Sequence, residues 1–245
     1  MQYMENKVFD RIEKKYLITK SQKKNLLKVV KEHIKKDGYH KSEVFNLYFD
    51  TDSYDFIIQS IDQPVFKEKL RARSYGGYDR VFLEIKTKLR DKDDQNPGFK
   101  RRVMITNNDF SELISKKTTA VELASRKIET KHDLQIAKEI DYLIKKFDLK
   151  PKILVMYDRE SYKGDEKLRL TFDENLNYRN YNLGFFRQKD DKIYFKDKRK
   201  IILEIKAHGV LPLWLVKALS ENRIYPQRFS KIGTVFKQIR KESNV

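Results

Sequence analysis

Charged and apolar residues alternate with a period of two along much of this chain. Residues 66–75, FKEKLRARSY, place four cations on one face of an extended strand and Phe66, Leu70 and Ala72 on the other. Such alternation is typical of strands that are buried on one face only. The same pattern occurs at 9–18, 81–88, 167–173 and 200–208, and other stretches predict further strands at 44–50, 99–105, 152–162 and 192–196.

Between the strands, apolar residues recur at helical spacing. Thr19 or Ser21 can cap the first helix and Asn107 or Asn108 the third, because short polar side chains accept hydrogen bonds from the N–H groups of a first turn. A polar segment with Pro-Gly at 91–98 predicts a loop. Helices are predicted at 21–36, 53–60, 107–117, 133–147, 213–223 and 231–242.

The charged faces constrain how the strands assemble. At least five strands carry two or more cations in the alternating phase, and like charges side by side on neighbouring strands repel each other. A solvent-exposed sheet face explains the charged residues of any single strand. It explains poorly why so many strands carry cations in the same phase. The apolar faces need cover, which the amphipathic helices can supply from outside. The sequence therefore predicts an α+β fold, a closed antiparallel β-barrel with a charged interior and helices packed outside, in a single domain over 1–245.

A basic interior needs an anion to fill it. The chain has 54 Lys and Arg against 36 Asp and Glu, a net charge of +18, which points to a polyanionic partner. A long, thin, highly charged ligand such as triphosphate or polyphosphate fits a barrel of this kind. The chain has no Cys and no G-x-x-x-x-G-K-[ST] motif, which excludes a thiolate metal site and a P-loop.

The amino-terminal residues contain no apolar segment typical of a secretory signal, so we expect a cytoplasmic protein. No apolar run approaches the roughly 20 residues of a transmembrane helix. A separate membrane protein is a candidate partner. The sequence does not indicate an oligomeric state.

Two further patterns indicate where a ligand binds. The segments KLRARSYG (69–76) and FLEIKTKL (82–89) are echoed by KLRLTFDENL (167–176) and ILEIKAHG (202–209), which predicts two related β-units. The segment PQRFSKIG places Arg228, Ser230 and Lys231 at the start of the helix predicted at 231–242. Helix N-termini favour the binding of anions, so these residues predict a phosphate-binding site, with a solvated turn as the alternative.

Eight segments occur in order from Arg11 to Lys231: RIEKKY, LYFDTDSYDF, KLRARSYG, FLEIKTK, YDRESYKG, LRLTFDENL, ILEIKAHGVLPLWL and RFSKIG. Together they resemble the VTC domain, the catalytic domain of the vacuolar transporter chaperone polyphosphate polymerases, within the triphosphate tunnel metalloenzyme superfamily. The resemblance implies an eight-stranded antiparallel tunnel, Mn²⁺ or Mg²⁺, and growth of a polyphosphate chain from the γ-phosphate of ATP.

The resemblance also implies site residues. It assigns the metal to Glu204, while Glu13 and Glu84 are second candidates because they share the charged faces; pairing with neighbouring cations is their alternative role. Lys100 lies in a segment that resembles a further tunnel lysine, and Lys88 shares the face of Lys86. The implied phosphate ligands are Lys15, Arg71, Arg73, Lys86, Arg159, Arg169, Lys206, Arg228 and Lys231, with Ser230 as a hydroxyl donor.

Two other functions use the same cations. A tunnel-fold triphosphatase would take water as the acceptor, and its ligands would be the same. A nucleic-acid binder is disfavoured because the cations share faces with carboxylates and no RNP-like or zinc pattern occurs.

Arg71 and Arg73, about 7 Å apart along a strand, should bind different phosphates. Because an empty basic face repels itself, removing either should leave the free protein equally stable or slightly more stable.

Overall fold

A computed structural model describes residues 11–62, 65–76, 79–89, 98–126, 130–165, 167–193, 200–228 and 230–243. Among these residues, no helix is both long and apolar enough to cross a membrane. The strands are β1 (Arg11–Thr19), β2 (Ile34–Asp50), β3 (Phe66–Tyr75), β4 (Val81–Leu89), β5 (Gly98–Ile105), β6 (Lys150–Gly164), β7 (Arg169–Arg179), β8 (Lys192–Ile193) and β9 (Lys200–His208). The helices are α1 (Lys20–Val30), α2 (Asp55–Ile61), α3 (Asn107–Ile114), α4 (Ala120–Arg126), α5 (Lys131–Phe147), α6 (Leu213–Glu221) and α7 (Lys231–Ser243).

The strands form an antiparallel sheet. Eight of them follow the order β1-β9-β7-β6-β2-β3-β4-β5, and the short β8 pairs with β7. The predicted antiparallel sheet with surrounding helices is therefore confirmed. The strand order ends at β1 and at β5 among the described residues, so closure of the sheet into a barrel stays a prediction.

The chain forms two compact units. The first consists of Met1–Ser42, Tyr157–Leu176 and Phe195–Phe229, and the second of Glu43–Met156, Asn177–Tyr194 and Ser230–Val245. The long strands β2 and β6 contribute residues to both units. A single domain over 1–245 remains a prediction.

Each unit has its own hydrophobic core. In the first, Leu26 and Val30 of α1 and Leu215 of α6 pack on the apolar phase of the strands, which includes Tyr16 and Leu203. Burial of such side chains stabilises the fold by roughly 1.5–3 kcal/mol each. In the second unit, the core joins the apolar phase of β2 to β5 with α2, α3, α4 and α5 and includes Leu47, Leu70, Leu83, Ile85, Phe110, Leu123 and Ile140. The charged phase of each strand is thereby left on the face away from these helices.

Local signals explain where several elements begin and end. Thr19 caps α1 in a capping box with Gln22, as predicted for one of two candidates. Thr106 caps α3, because its side chain accepts a hydrogen bond from the backbone N–H of Asp109. The prediction that Asn107 or Asn108 caps this helix is therefore wrong. Helix α1 ends at Val30 and Ile34 begins β2, so the prediction of a helix over 21–36 is wrong beyond Val30. Leu26, Val30 and Ile34 recur at helical spacing, which misled the prediction. Helix α4 was not predicted, and the loop predicted at 91–98 lies, except for Gly98, outside the described residues.

Candidate functional site

One face of β1, β9 and β7 carries predicted site residues of the first unit. β1 pairs with β9 so that Lys15 lies opposite Glu204 and Glu13 lies opposite Lys206. β9 pairs with β7 so that Arg169 lies opposite Lys206. Residues that lie directly opposite each other in an antiparallel pair project from the same face. The strand registers therefore bring all five side chains to one face.

Lys206 joins the two carboxylates of this face. Its Nζ lies 2.6 Å from Glu204 Oε1 and 3.6 Å from Glu13 Oε2. Lys15 Nζ lies 3.3 Å from Glu13 Oε1. Burial and the neighbouring Glu204 raise the pKa of Glu13, but nearby lysines lower it by more, so that its pKa lies below the ordinary value. Glu13 is therefore ionised at neutral pH, and the cluster contains charges of both signs.

Arg159 on β6 is held by a carboxylate that sequence reasoning left without a role. Its Nε donates to Asp173 Oδ1 at 2.7 Å and its Nη2 donates to Asp173 Oδ2 at 2.8 Å. The guanidinium lies 5.2 Å from the ring centre of Tyr157. Burial lowers the pKa of Arg159, but Tyr157 and Asp173 raise it well above its ordinary value. Asp173 therefore fixes the orientation of Arg159. The sequence signal for this role is that Asp173 lies on the charged phase of its strand.

Two other predicted cations of the first unit have separate surroundings. Arg169 Nη2 lies 3.1 Å from Asp37 Oδ2, and 45% of the Arg169 side chain is exposed. Arg228 is exposed and follows Gln227, whose N–H donates to the carbonyl oxygen of Lys15 at 2.8 Å. That hydrogen bond holds the segment before Arg228 alongside β1.

In the second unit, Arg71 lies directly opposite Glu84. Its Nε and Nη2 both donate to Glu84 Oε2, at 2.7 and 2.5 Å, and Lys100 Nζ lies 3.6 Å from Glu84 Oε1. Only 1% of the Glu84 side chain is exposed. Burial raises the pKa of Glu84, but Arg71 and the neighbouring cations lower it by more, to about 2. This pairing reverses the expectation that Arg71 belongs to a self-repelling face.

A row of lysines crosses the same face. Lys86 lies directly opposite Lys69 on β3 and opposite Lys100 on β5, and the next row places Lys88 opposite Lys67. Cations clustered on one face create a positive potential that favours the binding of anions. The rows are therefore a candidate phosphate-binding surface.

The remaining residues of the second unit lie on β3 and at the start of α7. Arg73 Nε donates to Asn46 Oδ1 at 2.8 Å, which orients its guanidinium. Helix α7 begins at Lys231, as predicted. The Oγ of Ser230 accepts from the N–H of Gly233 at 3.4 Å. A serine hydroxyl can accept and donate at once, so Ser230 can still donate to an anion.

The internal repeat corresponds to the strand pairs β3–β4 and β7–β9, which differ in register. Arg71 lies opposite Glu84, whereas Arg169, at the equivalent place in the repeat, is displaced by two residues and Thr171 lies opposite Glu204. A shift of two residues keeps every side chain on its face. It gives Glu84 an arginine partner directly across the strand pair and gives Glu204 a threonine there. The two carboxylates therefore have different chemistry despite identical Leu-Glu-Ile-Lys contexts.

Glu204 and Glu13 fit a divalent cation better than Glu84 does, because their partners are the single ammonium groups of lysines, whereas Arg71 donates two hydrogen bonds to Glu84. Among the residues that the structure describes, no group of three or more His, Cys, Asp or Glu is arranged to hold a metal ion. Mg²⁺ is commonly held by one or two carboxylates together with substrate phosphates. The pair on either side of Lys206 therefore fits Mn²⁺ or Mg²⁺ when phosphate oxygens complete the coordination.

The low pKa of Glu84 predicts an acid-sensitive contribution to stability. Its folded pKa is about 2, against an ordinary value of 4.5, so its stabilisation is present above the ordinary value and is lost as the pH falls toward 2. We expect the free energy of unfolding to fall by about 3 kcal/mol more in the wild type than in Glu84→Gln between about pH 5 and pH 2. Urea unfolding at several pH values measures this, and parallel curves for the two proteins would contradict it.

Comparison with solved structures places this architecture in a known class. HpAC1 from Hippeastrum, which is described as an adenylyl cyclase with a dominant triphosphatase activity, aligns with a TM-score of 0.53 and 16% identity over 93% of this chain and 95% of its own. A protein from Pyrococcus horikoshii aligns with a TM-score of 0.47 and 15% identity over 93% of this chain and 99% of its own. The likeness to HpAC1 shows that the two proteins belong to one fold class.

Within that class, the family model for the VTC domain matches residues 10–239, so the chain belongs to the VTC domain family. Subunit 4 of the vacuolar transporter chaperone complex of Schizosaccharomyces pombe is 26% identical over 145 residues. That alignment covers 54% of this chain and 20% of the yeast protein. The resemblance inferred from the eight sequence segments is thus confirmed.

Proposed function

We propose that this protein is a polyphosphate polymerase that transfers the γ-phosphate of ATP to a growing polyphosphate chain with the help of Mn²⁺ or Mg²⁺. The observation that carries the proposal is the row formed by Lys69, Lys86 and Lys100 in a chain of the VTC domain family. The three lysines lie on neighbouring strands of one face, at the spacing between adjacent strands. Their positive charge would attract successive phosphates of a polyanion bound across them.

In phosphoryl transfer, a protein contributes chiefly by positioning the reacting groups and by stabilising the charge of the transition state. The proposed acceptor is a terminal phosphate oxygen of the growing chain, which is already anionic, so no side-chain nucleophile is needed. Arg159, oriented by Asp173, and Arg73, oriented by Asn46, can each present a fixed guanidinium fork to phosphate oxygens. Lys86 and Lys100 act as point charges. The Ser230 hydroxyl would donate a hydrogen bond.

The carboxylates have separate roles in this proposal. Glu204 and Glu13 would hold the metal ion, which when bound supplies charge neutralisation at phosphate oxygens. Lys206 and Lys15 keep these carboxylates paired in the absence of ligand. Glu84 instead holds Arg71 in place. We further propose that the sheet closes into the tunnel that the family resemblance implies, and that the reaction takes place in the cytoplasm, where ATP is the donor.

A triphosphatase is the second candidate, because the tunnel-fold protein HpAC1 is described as having that activity. The same cations would bind the substrate, and water would replace the terminal phosphate as acceptor. Incubation with ATP and Mn²⁺, followed by gel electrophoresis of the products, separates the two functions. The polymerase makes a ladder of phosphate chains, whereas release of orthophosphate without any ladder would favour the triphosphatase.

The lysine row predicts a loss of binding in a variant that keeps the fold. Lys86→Ala should weaken binding of inorganic tripolyphosphate by about 10- to 100-fold, the range expected for hydrogen bonds to charged groups. The matched control is Lys217→Ala, because Lys217 lies on α6 and its side chain is 76% exposed. Titration calorimetry measures both. Equal affinities for the two variants would show that Lys86 does not contact the ligand.

A further inference from the structure

One end of the charged face of β3, β4 and β5 is aromatic and apolar. Phe82 lies directly opposite Arg73 on β3 and opposite Met104 on β5. It shares the phase of Glu84 along β4, and Tyr75 lies two residues beyond Arg73 along β3. The side chains of Phe82, Tyr75 and Met104 therefore project from the face that carries the phosphate-binding candidates.

These side chains form a partly exposed platform. The rings of Tyr75 and Phe82 meet edge to face, with centroids 6.2 Å apart at 77°. The Arg102 guanidinium lies 4.5 Å from the centre of the Phe82 ring, and Met104 is 41% exposed. Phe82, Tyr75 and Met104 are all outside the hydrophobic core of the second unit. Core packing therefore does not explain why they occur in a phase otherwise made of charged residues.

We propose that Phe82, together with Tyr75 and Arg102, binds the nucleobase of the nucleoside triphosphate donor. This inference rests on the proposed function, since it assigns a subsite for the donor of that reaction. Bases stack on aromatic rings and on guanidinium planes, and Arg102, whose guanidinium lies over the Phe82 ring, presents such a plane. Met104 supplies an adjoining apolar contact.

The position of the platform matches the shape of a nucleotide. Phe82, Glu84 and Lys86 follow one another on the same face of β4, with about 7 Å between successive members. Arg73 lies beside Phe82, and the Arg71–Glu84 pair separates both from the row of Lys86. A base over Phe82 therefore allows its phosphates to extend past Arg71 toward that row. Stacking of this kind tolerates different bases, so nucleoside triphosphates with different bases, and not ATP alone, are the expected ligands.

The test compares two ligands that differ in whether they carry a base. ATP and inorganic tripolyphosphate are titrated by calorimetry without divalent metal, so that no turnover occurs. Phe82→Leu should raise the Kd for ATP by about 5- to 100-fold, the effect of removing one stacking aromatic side chain. Its Kd for tripolyphosphate should change less than about twofold, since the cations that bind phosphate are retained.

Two more variants provide an independent test and a matched control. Arg102→Lys keeps the charge and removes the guanidinium plane at an exposed position, so it should weaken ATP selectively without affecting the fold. Phe66→Leu is the matched control, because Phe66 is 46% exposed on β3 and lies in the opposite phase. It should leave the affinities for both ligands unchanged.

The outcomes separate this inference from the proposed function. Selective loss of ATP affinity in Phe82→Leu and Arg102→Lys supports the base subsite. Equal losses for the two ligands, or no loss of ATP affinity in either variant, would overturn it. If the variants show the selective loss but the wild-type protein makes no polyphosphate from ATP and Mn²⁺, the polymerase is refuted and the base subsite stands.

Discussion

Glu204→Gln should abolish metal-dependent turnover and leave the fold and most polyphosphate binding intact. Glutamine keeps the size of the side chain and removes its charge, so the proposed metal site loses one of its two carboxylates. Changes to groups that only orient metal ligands already cost 10- to 100-fold, so we expect a loss of more than about 100-fold in kcat. Tripolyphosphate affinity, measured by calorimetry without metal, should stay near that of the wild type, because the cations supply it.

Matched variants at the other two candidate carboxylates sharpen this prediction. Glu13→Gln should lower turnover and raise the Mn²⁺ concentration needed for half-maximal rate, because Glu13 shares Lys206 with Glu204. Glu84→Gln should change the metal requirement little, since Arg71 occupies that carboxylate. Normal metal-dependent rates in Glu204→Gln, together with a metal defect in Glu84→Gln, would show that the two carboxylates are assigned the wrong way round.

Arg71→Ala should strongly destabilise the free protein. The change leaves the carboxylate of Glu84, of which 1% is exposed, without the guanidinium that donates two hydrogen bonds to it. Breaking a buried ion pair by removing one partner typically costs about 3–5 kcal/mol. Arg73→Ala should cost less, about 1.5–3 kcal/mol, because it removes one hydrogen bond from a charged guanidinium to the buried Asn46. Urea unfolding at neutral pH measures both values.

A double variant shows whether the lost stability comes from the unpaired carboxylate. Arg71→Met with Glu84→Gln removes both charges and keeps the side-chain volumes similar, so it should recover most of the stability that Arg71→Ala loses. Comparing tripolyphosphate binding by the double variant with that by Glu84→Gln then reports the contribution of Arg71 to ligand binding. If Arg71→Ala unfolds at the same urea concentration as the wild type, Arg71 and Glu84 are not paired in solution.

Period-two alternation predicted most of the sheet because it reflects burial on one face. The bounds of β3 and β9 agree with the predicted 66–75 and 200–208. The strand predicted at 44–50 is the carboxyl-terminal part of β2, which starts at Ile34. Residues 35–43 of β2 are largely charged or exposed and lack apolar alternation, so only pairing with other strands reveals them. Helix α4 has seven residues, too few for a clear helical period.

The site shows a similar limit. The sequence placed Glu84 and Glu204 in matching repeats and made both candidate metal ligands. Their difference depends on a two-residue change in strand register, which places Arg71 opposite one carboxylate and Thr171 opposite the other. Register is set by strand pairing between residues distant in sequence, so composition and spacing cannot reveal it. For the same reason, Asp173 beneath Arg159 was visible in the sequence only as another charged residue.

The acceptor of the phosphoryl group distinguishes a polymerase from a triphosphatase most directly. Turnover of ATP with Mn²⁺ in water enriched in ¹⁸O, followed by mass spectrometry of the products, reports whether water attacked the γ-phosphate. If a terminal phosphate is the acceptor, the polyphosphate and ADP formed carry no solvent ¹⁸O. Incorporation of one solvent oxygen into each γ-phosphate, released as orthophosphate, would contradict the proposed polymerase.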